Sequence, residues 1–217
     1  PHNSGRRQRQ MCIRDRICGI KELKILNELI MIKEIDFIGF IFYQDSLRNV
    51  SKNLLQQLKN IDLKEKRPVC VYVNASRSLI EETSSCFDNP VLQFHGDETN
   101  EFCKSFNKDF WKVIRVRDLS SIQKISEYQD ASAILLENYE KDKYGGTGKS
   151  FDWQLLENIK TLDMKIIVSG GINIKNVHNA ININPWCIDI NSGVESSAGV
   201  KDLKLINEIL DIYNNEI

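Results

Sequence analysis

The sequence has no long apolar run, no excess of one charge and no cluster of metal-ligating residues. No run approaches the ~18 apolar residues that a membrane-spanning helix needs. The net charge is −1, from 29 basic and 30 acidic residues, so no bulk electrostatic attraction favours nucleic acid or an anionic membrane. We therefore expect a soluble, cytoplasmic protein that binds a small molecule and has neither a nucleic acid nor a membrane as its partner.

Cysteine and histidine are present, but not in the spacing of a metal site. The six cysteines include no Cys-x-x-Cys pair, and the three histidines are far apart in the chain. Cys18, Cys70 and Cys187 lie in or at the ends of apolar runs, which fits reduced thiols better than a disulfide framework. We expect no metal.

The rest of the chain alternates short apolar runs with segments of helical periodicity. At 217 residues it is long enough for one (β/α)8 TIM barrel, an α/β fold whose parallel strands are buried on both faces. Residues 1–13 are Arg-rich and aperiodic, so we expect a non-native or disordered extension there and a single barrel domain over residues 14–217. The predicted strands span residues 13–18, 36–43, 69–73, 91–94, 112–116, 133–136, 166–168 and 188–190. The predicted helices span residues 21–33, 77–87, 99–106, 119–128, 151–159, 172–183 and 198–213, with one more capped by Ser51.

Two glycine turns close the last two predicted strands. Gly170 and Gly171 follow one apolar run, and Ser192 and Gly193 follow the next. Glycine lets the backbone approach a ligand with its N–H groups exposed, which suits a phosphate. Two ordinary turns would look similar, but barrels of this class build a phosphate site from the loops after strands 7 and 8. The pattern therefore favours phosphate binding.

Polar residues follow the other predicted strands, at the ends where barrels place their active sites. They are Cys18, Arg48, Asn74, Gln93, His95, Arg115, Arg117, Glu137 and Asp189. A thiol, carboxylates and cations near a phosphate turn suit proton transfer on a phosphorylated, sugar-like substrate. Taken alone, Cys18 could equally be a small buried hydrophobe, and Glu137 a solvated carboxylate at a strand end.

Seven blocks of sequence form a more specific pattern. They are ICGI at 17–20, GFIFY at 39–43 with Ser46 and Arg48, VYVN at 71–74, LQFHGDE at 92–98, YGGTGKSFDW at 144–153, SGGI at 169–172 with Asn176 and Val177, and DINSGVE at 189–195 with Gly199, Lys201 and Asp202. In order and spacing the chain resembles the phosphoribosylanthranilate isomerase family of tryptophan biosynthesis. The resemblance implies a cofactor-free barrel that performs an Amadori rearrangement, from N-(5-phosphoribosyl)anthranilate to 1-(o-carboxyphenylamino)-1-deoxyribulose 5-phosphate.

The resemblance also implies roles for single residues. Cys18 would be the general base that removes the proton from C2 of the ribose, and its thiol would have to ionise with help from nearby cations. The family's acid is an Asp at the end of strand 6, where this chain has Glu137. Either carboxyl group could protonate the ring oxygen. One extra methylene, however, shifts the proton by about 1 Å, and a displacement of this size can slow catalysis.

Substrate contacts follow in the same way from the resemblance. Arg48 would bind the anthranilate carboxylate through its guanidinium fork. Asp189 would orient a ribose hydroxyl or the catalytic groups. Gln93 and His95 would position the substrate without taking part in the chemistry.

Gly145, Gly146, Thr147 and Gly148 are predicted to form a mobile loop that closes over the substrate. The run ends like a nucleotide-binding P-loop, but Lys143 stands where that motif requires glycine, so we exclude this function.

Two other functions remain open. A barrel of the indole-glycerol-phosphate synthase type would need a lysine at the end of an early strand, and none is found. A non-catalytic phosphate-binding barrel is favoured by Glu137, by the polar first strand and by Ala198, where the family usually has proline. The presence of Cys18, Arg48 and Asp189 argues against it. The sequence leaves open whether the protein is a monomer or a homodimer.

Overall fold

The computed structural model describes residues 13–139 and 164–216 of the chain. Eight parallel strands pair in sequence order and close into a barrel, because β1 pairs with β8 as well as with β2. The strands are β1 (Arg14–Ile17), β2 (Ile35–Ile41), β3 (Arg67–Tyr72), β4 (Val91–Phe94), β5 (Phe110–Val116), β6 (Ala133–Asn138), β7 (Ile166–Val168) and β8 (Cys187–Ile190). The predicted (β/α)8 barrel is confirmed.

Helices alternate with the strands through the described part of the chain. They are α1 (Leu23–Met31), α2 (Lys52–Leu58), α3 (Arg77–Ser84), α4 (Asn100–Lys104), α5 (Leu119–Gln123), α6 (Val177–Asn182) and α7 (Leu203–Glu216). Ser51, Ser76 and Thr99 each accept a hydrogen bond from the backbone amide three residues on, which starts α2, α3 and α4. The predicted cap at Ser51 is confirmed. The predicted helix at 151–159 lies outside the described residues.

Two helices begin well after their predicted start, and others differ from their predicted bounds by a few residues at their ends. The helix predicted over 172–183 begins only at Val177, because the side chain of Asn173 accepts a hydrogen bond from the amide of Lys175 and so favours a turn. The helix predicted from residue 198 begins at Leu203. A small hairpin of β9 (Glu195–Ser197) and β10 (Val200–Lys201) precedes it, with Gly199 in the left-handed conformation at the bend.

The barrel interior has an apolar lower layer and a polar upper layer. The apolar layer contains Phe37, Val69, Val91, Trp111, Val113, Ala133, Leu135, Ile167 and Cys187. Side chains of a strand alternate between two faces, so the residue two positions further along a strand points to the same side. From Leu135 and Cys187 this step leads to Glu137 and Asp189, at the carboxyl end of the barrel.

A larger apolar cluster holds the helices against the outside of the strands. Within the described ranges, no helix is long and apolar enough to cross a membrane.

Candidate active site

A cavity of about 450 Å³ opens at the carboxyl ends of the strands. Its lining includes most of the predicted site residues, namely Cys18, Arg48, Gln93, His95, Glu137, Gly170, Gly171, Asp189 and Ser192. Gly193 follows Ser192 directly. Asn74, Arg115 and Arg117, which the sequence also placed on the rim, are not part of this lining.

Cys18, the residue that follows β1, contacts a buried arginine on that strand. Arg16 Nη2 donates a hydrogen bond to Cys18 Sγ at 3.0 Å, and Arg16 Nη1 donates to Gln93 Oε1 at 2.6 Å. The guanidinium also lies 3.3 Å from Asp189 Oδ1 and over the ring of Trp111, at 5.4 Å from its centroid. Its side chain has 0% exposure, so its charge is stabilised only by groups inside the barrel.

Arg16 is the functional residue that sequence reasoning missed. In the sequence, its charge only contributes to the polarity of the first strand. The signal that could have identified it is its spacing, because residues i and i+2 of a strand share a face and Cys18 is two positions further on.

Burial dominates the electrostatics of the thiol. It raises the pKa of Cys18 to about 11, against the opposing effect of Arg16, with Asp189 raising it further and Lys201 and Arg48 lowering it. Burial also raises the pKa of Asp189, while Arg16 and the hydrogen bond from Ser169 Oγ at 2.9 Å lower it. The cations around Cys18 therefore offset only part of the cost of forming a buried thiolate.

Glu137 and His95 face each other across the cavity wall. Glu137 Oε2 lies 2.8 Å from His95 Nε2, and both side chains are about nine-tenths buried. Glutamate is one methylene longer than the aspartate of the resembled family. The structure thus brings the two residues together, although the resemblance implies separate roles for them.

A buried ion pair supports the loop that carries His95. Lys112 Nζ donates to the carbonyl oxygen of Gly96 at 2.6 Å and to Glu98 Oε2 at 3.2 Å. Glu98 Oε1 accepts a hydrogen bond from the backbone amide of Asn74 at 2.7 Å. Asn74 therefore acts behind the site, on the backbone next to His95.

Arg48 is held by an acidic partner from the hairpin. Its Nε and Nη2 donate to the two carboxylate oxygens of Glu195, each at 2.7 Å. One edge of the guanidinium fork is thus occupied by the protein itself.

The two glycine turns meet below the cavity rim. Gly170 and Gly171 both have positive φ, at 96° and 63°, which turns their amides away from the strand. A Cβ added to Gly193 would overlap the carbonyl oxygen of Ile172, so the turns can touch only because this residue is glycine. No described residue accepts a hydrogen bond from the backbone amides of Gly170, Gly171, Ser192 or Gly193. These N–H groups are available to an anion.

The predicted mobile loop, Gly145, Gly146, Thr147 and Gly148, lies outside the described residues. Among residues 13–139 and 164–216, no group of histidine, cysteine, aspartate or glutamate side chains has the arrangement of a metal site.

Comparison with protein families gives one clear match. The model described as N-(5'phosphoribosyl)anthranilate (PRA) isomerase matches residues 15–212. The relative from Legionella pneumophila subsp. pneumophila (strain Philadelphia 1), named N-(5'-phosphoribosyl)anthranilate isomerase, is 38% identical over 209 residues, which cover 93% of this chain and 97% of the relative. The protein of the same name from Hahella chejuensis is 34% identical over 206 residues, covering 93% and 94% of the two chains.

Solved structures show the same likeness. The crystal structure of phosphoribosyl anthranilate isomerase from Thermotoga maritima superposes with a TM-score of 0.82 at 28% identity, covering 94% of this chain and 99% of that one. A structure of the isomerase in complex with reduced 1-(o-carboxyphenylamino)-1-deoxyribulose 5-phosphate superposes with a TM-score of 0.79 at 27% identity, with the same coverage of both chains.

Proposed function

Because the chain belongs to the N-(5'-phosphoribosyl)anthranilate isomerase family and is thus an isomerase of tryptophan biosynthesis, we propose that Cys18 and Glu137 are the base and acid of its Amadori rearrangement. The observation that carries this proposal is the shared cavity. One cavity of about 450 Å³ is lined by a thiol, a carboxyl group, an arginine and two glycine turns of the kind that bind phosphate.

The substrate's two anionic ends fix its orientation in the proposed complex. The phosphate binds the backbone amides of Gly170, Gly171, Ser192 and Gly193, and the anthranilate carboxylate binds Arg48. The ribose then lies between the two anchors, beside the remaining polar groups of the cavity. Binding energy from both ends holds the reacting atoms in place, which is the main means of catalysis available without a cofactor.

The rearrangement needs one proton delivered and one removed. Glu137 protonates the ring oxygen as the C1–O bond of the furanose breaks and the amine nitrogen forms an iminium with C1. The iminium acidifies the C2 proton, which the Cys18 thiolate takes up. The resulting enolamine tautomerises to the ketone, so that no atom is gained or lost overall.

Arg16 stabilises the base in this mechanism. Its Nη2 lies 3.0 Å from the sulfur, where it favours the thiolate over the thiol. Asp189 keeps Arg16 in place through the 3.3 Å ion pair and, because it also accepts from Ser169, stays oriented towards the cavity.

Glu137 is positioned by His95. The imidazole Nε2 lies 2.8 Å from Oε2, and the other carboxyl oxygen faces the substrate in the proposed complex. Gln93 is held by Arg16 and contributes to the wall of the cavity next to the thiol.

The test is turnover of freshly generated phosphoribosylanthranilate, followed by the loss of its fluorescence. We expect activity in the wild type, loss of at least about 10³-fold in kcat for Cys18→Ala, and a comparable loss for Glu137→Gln, because each change removes a proton-transfer group. Cys103→Ala is the matched control, since Cys103 is an equally buried thiol on α4, outside the cavity lining.

The proposed isomerase activity would be refuted by a folded wild type that binds inorganic phosphate but converts the substrate no faster than buffer alone does. A non-catalytic phosphate-binding barrel would then be the better account. Full isomerase activity of Cys18→Ala would instead show that Cys18 is not the base, while the protein would still be an isomerase.

The proposal also covers the substrate class, the cofactor, the location and the oligomeric state of the protein. We propose a phosphorylated small molecule as substrate, no cofactor, a cytoplasmic location, and a monomer or homodimer. The Thermotoga maritima relative is described as dimeric. Sedimentation at several protein concentrations distinguishes the two states for this chain.

A further inference from the structure

We infer that Glu195 is a positioning residue, which holds Arg48 by one edge so that its other edge is presented to the substrate's carboxylate. The inference deepens the proposed function and rests on it for the identity of that carboxylate. It concerns a residue outside the cavity lining, on the hairpin that follows β8.

Four donors converge on the Glu195 carboxylate, whose side chain is only 3% exposed. Oε1 accepts from Arg48 Nε at 2.7 Å and from Lys201 Nζ at 2.8 Å. Oε2 accepts from Arg48 Nη2 at 2.7 Å and from the backbone amide of Gly199 at 3.0 Å. Every acceptor position of the carboxylate is thus used.

The pairing leaves one edge of the guanidinium available. Nε and the near hydrogen of Nη2 face Glu195, which is the side-on arrangement. The end-on edge consists of Nη1 and the second hydrogen of Nη2, and no described residue accepts a hydrogen bond from Nη1. Because an end-on edge also binds a carboxylate with two parallel hydrogen bonds, Arg48 can hold Glu195 and the substrate together.

The charges favour a further anion. Burial raises the pKa of Glu195, but the hydrogen bonds from Arg48 and Lys201 outweigh this effect and bring it down to about 2. One carboxylate therefore lies between two cations. The cluster carries one uncompensated positive charge, which the anthranilate carboxylate neutralises when it binds.

The neighbouring backbone packs closely against the cluster of Arg48, Glu195 and Lys201. Gly19, with φ of 78°, passes Arg48 so closely that a Cβ there would lie 2.8 Å from Arg48 Cδ. Lys201 Nζ also donates to the backbone and side-chain oxygens of Asn191, at 2.9 Å and 2.7 Å. Since Asn191 directly precedes the Ser192–Val194 turn, the hairpin connects the arginine with the proposed phosphate loop.

Glutamine cannot replace Glu195 in this role. An amide offers one oxygen to four donors and turns its own N–H₂ group towards cationic donors. Glu195→Gln should therefore release Arg48 from its side-on arrangement while leaving the size of the side chain unchanged.

The experiment measures affinity for three probes. They are the reduced product named above, its phenylamino counterpart without the carboxylate, and inorganic phosphate. For Glu195→Gln we expect affinity for the carboxylated probe to fall about 10- to 100-fold, as for the loss of a charged hydrogen-bonded pair, and affinity for the other two to stay within about twofold. Asp109→Asn is the matched control, because it breaks the Arg67–Asp109 ion pair of the same 2.7 Å length at the amino ends of the strands.

A double-mutant cycle separates positioning from a merely structural role. In an Arg48→Met background, Glu195→Gln should cause no further loss of discrimination between the carboxylated and uncarboxylated probes. An equal fall in affinity for all three probes, or unchanged affinity for the carboxylated one, would overturn the inference. Turnover of the wild type tests the isomerase separately, so loss of discrimination in a protein without turnover would support the inference while refuting the proposed function.

Discussion

The guanidinium of Arg16, on β1, donates a hydrogen bond to the thiol of Cys18, the residue that follows this strand, at 3.0 Å. A free cysteine at a strand end would have no reason to ionise, and burial here works against ionisation. Among the effects that lower the pKa of Cys18, the charge of Arg16 is the largest, so this contact favours the thiolate more than any other group does.

We predict that Arg16→Met slows alkylation of Cys18. Because the pKa of Cys18 is raised to about 11, the rate of inactivation by iodoacetamide should increase about tenfold per pH unit through the alkaline range and level off only near that value. Removing Arg16 raises the pKa further, so the rate at pH 8 should fall at least about tenfold. Residual activity, with mass mapping of the modified cysteine, provides the measurement.

Arg16→Lys is the control for this prediction, because it keeps a buried cation opposite Asp189. It should retain most of the alkylation rate. An unchanged rate in Arg16→Met, in a protein that is still folded, would show that other cations determine the ionisation of the thiol.

The barrel could be predicted from the sequence because its causes are local. Alternation of buried strands with helical periodicity identified all eight strands, and most of the site residues predicted from strand ends and glycine turns line the cavity. Contacts between residues far apart in the sequence could not be predicted in this way. Arg48 and Glu195 are separated by 147 residues in the sequence, and Arg16 and Gln93 by 77, so only closure of the barrel creates these contacts. The hairpin before α7 was missed because its strands are only three and two residues long.

The contact between His95 and Glu137 should depend on the length of the acidic side chain. We predict that His95→Leu lowers kcat about tenfold in the wild type, because the carboxyl group loses the imidazole 2.8 Å away. In Glu137→Asp, whose own activity we expect to be kept or raised, the shorter side chain draws back from Nε2. His95→Leu should then have little further effect.

Steady-state kcat for the four proteins of this double-mutant cycle is the measurement. Strict additivity of the two changes would contradict the proposed positioning of Glu137 by His95. A rise in KM without a change in kcat would assign His95 to substrate binding instead.

Asp15 on β1 is a buried acid that should cost the protein stability at neutral pH. Burial raises its pKa well above the ordinary value, with Asp36 and Glu34 raising it further and the nearby Tyr213 hydroxyl lowering it. The folded state therefore binds this proton more tightly than the unfolded state, and the free energy of unfolding decreases as pH rises from the ordinary carboxyl pKa towards the raised one.

Asp15→Asn removes the charge and keeps the shape, so we predict a gain of about 1 kcal/mol in the free energy of unfolding at pH 7 and no gain at pH 3. Urea denaturation at the two pH values measures it. Asp88→Asn is the control, since the exposed Asp88 should show no such gain. A loss of stability at pH 7 for Asp15→Asn would mean that the carboxylate is well paired when folded.

Gly193 should be the most sensitive single position of the phosphate site. We predict that Gly193→Ala weakens inorganic phosphate binding more than about tenfold, because the new Cβ overlaps the carbonyl oxygen of Ile172 and must push the two glycine turns apart. Ser192→Ala is the control: it keeps the backbone amide and adds no atom, so its phosphate affinity should stay close to that of the wild type. Calorimetric titration with phosphate gives both values. If Ser192→Ala weakened binding as much as Gly193→Ala, the serine hydroxyl would be a principal phosphate ligand and the backbone amides alone would not account for the site.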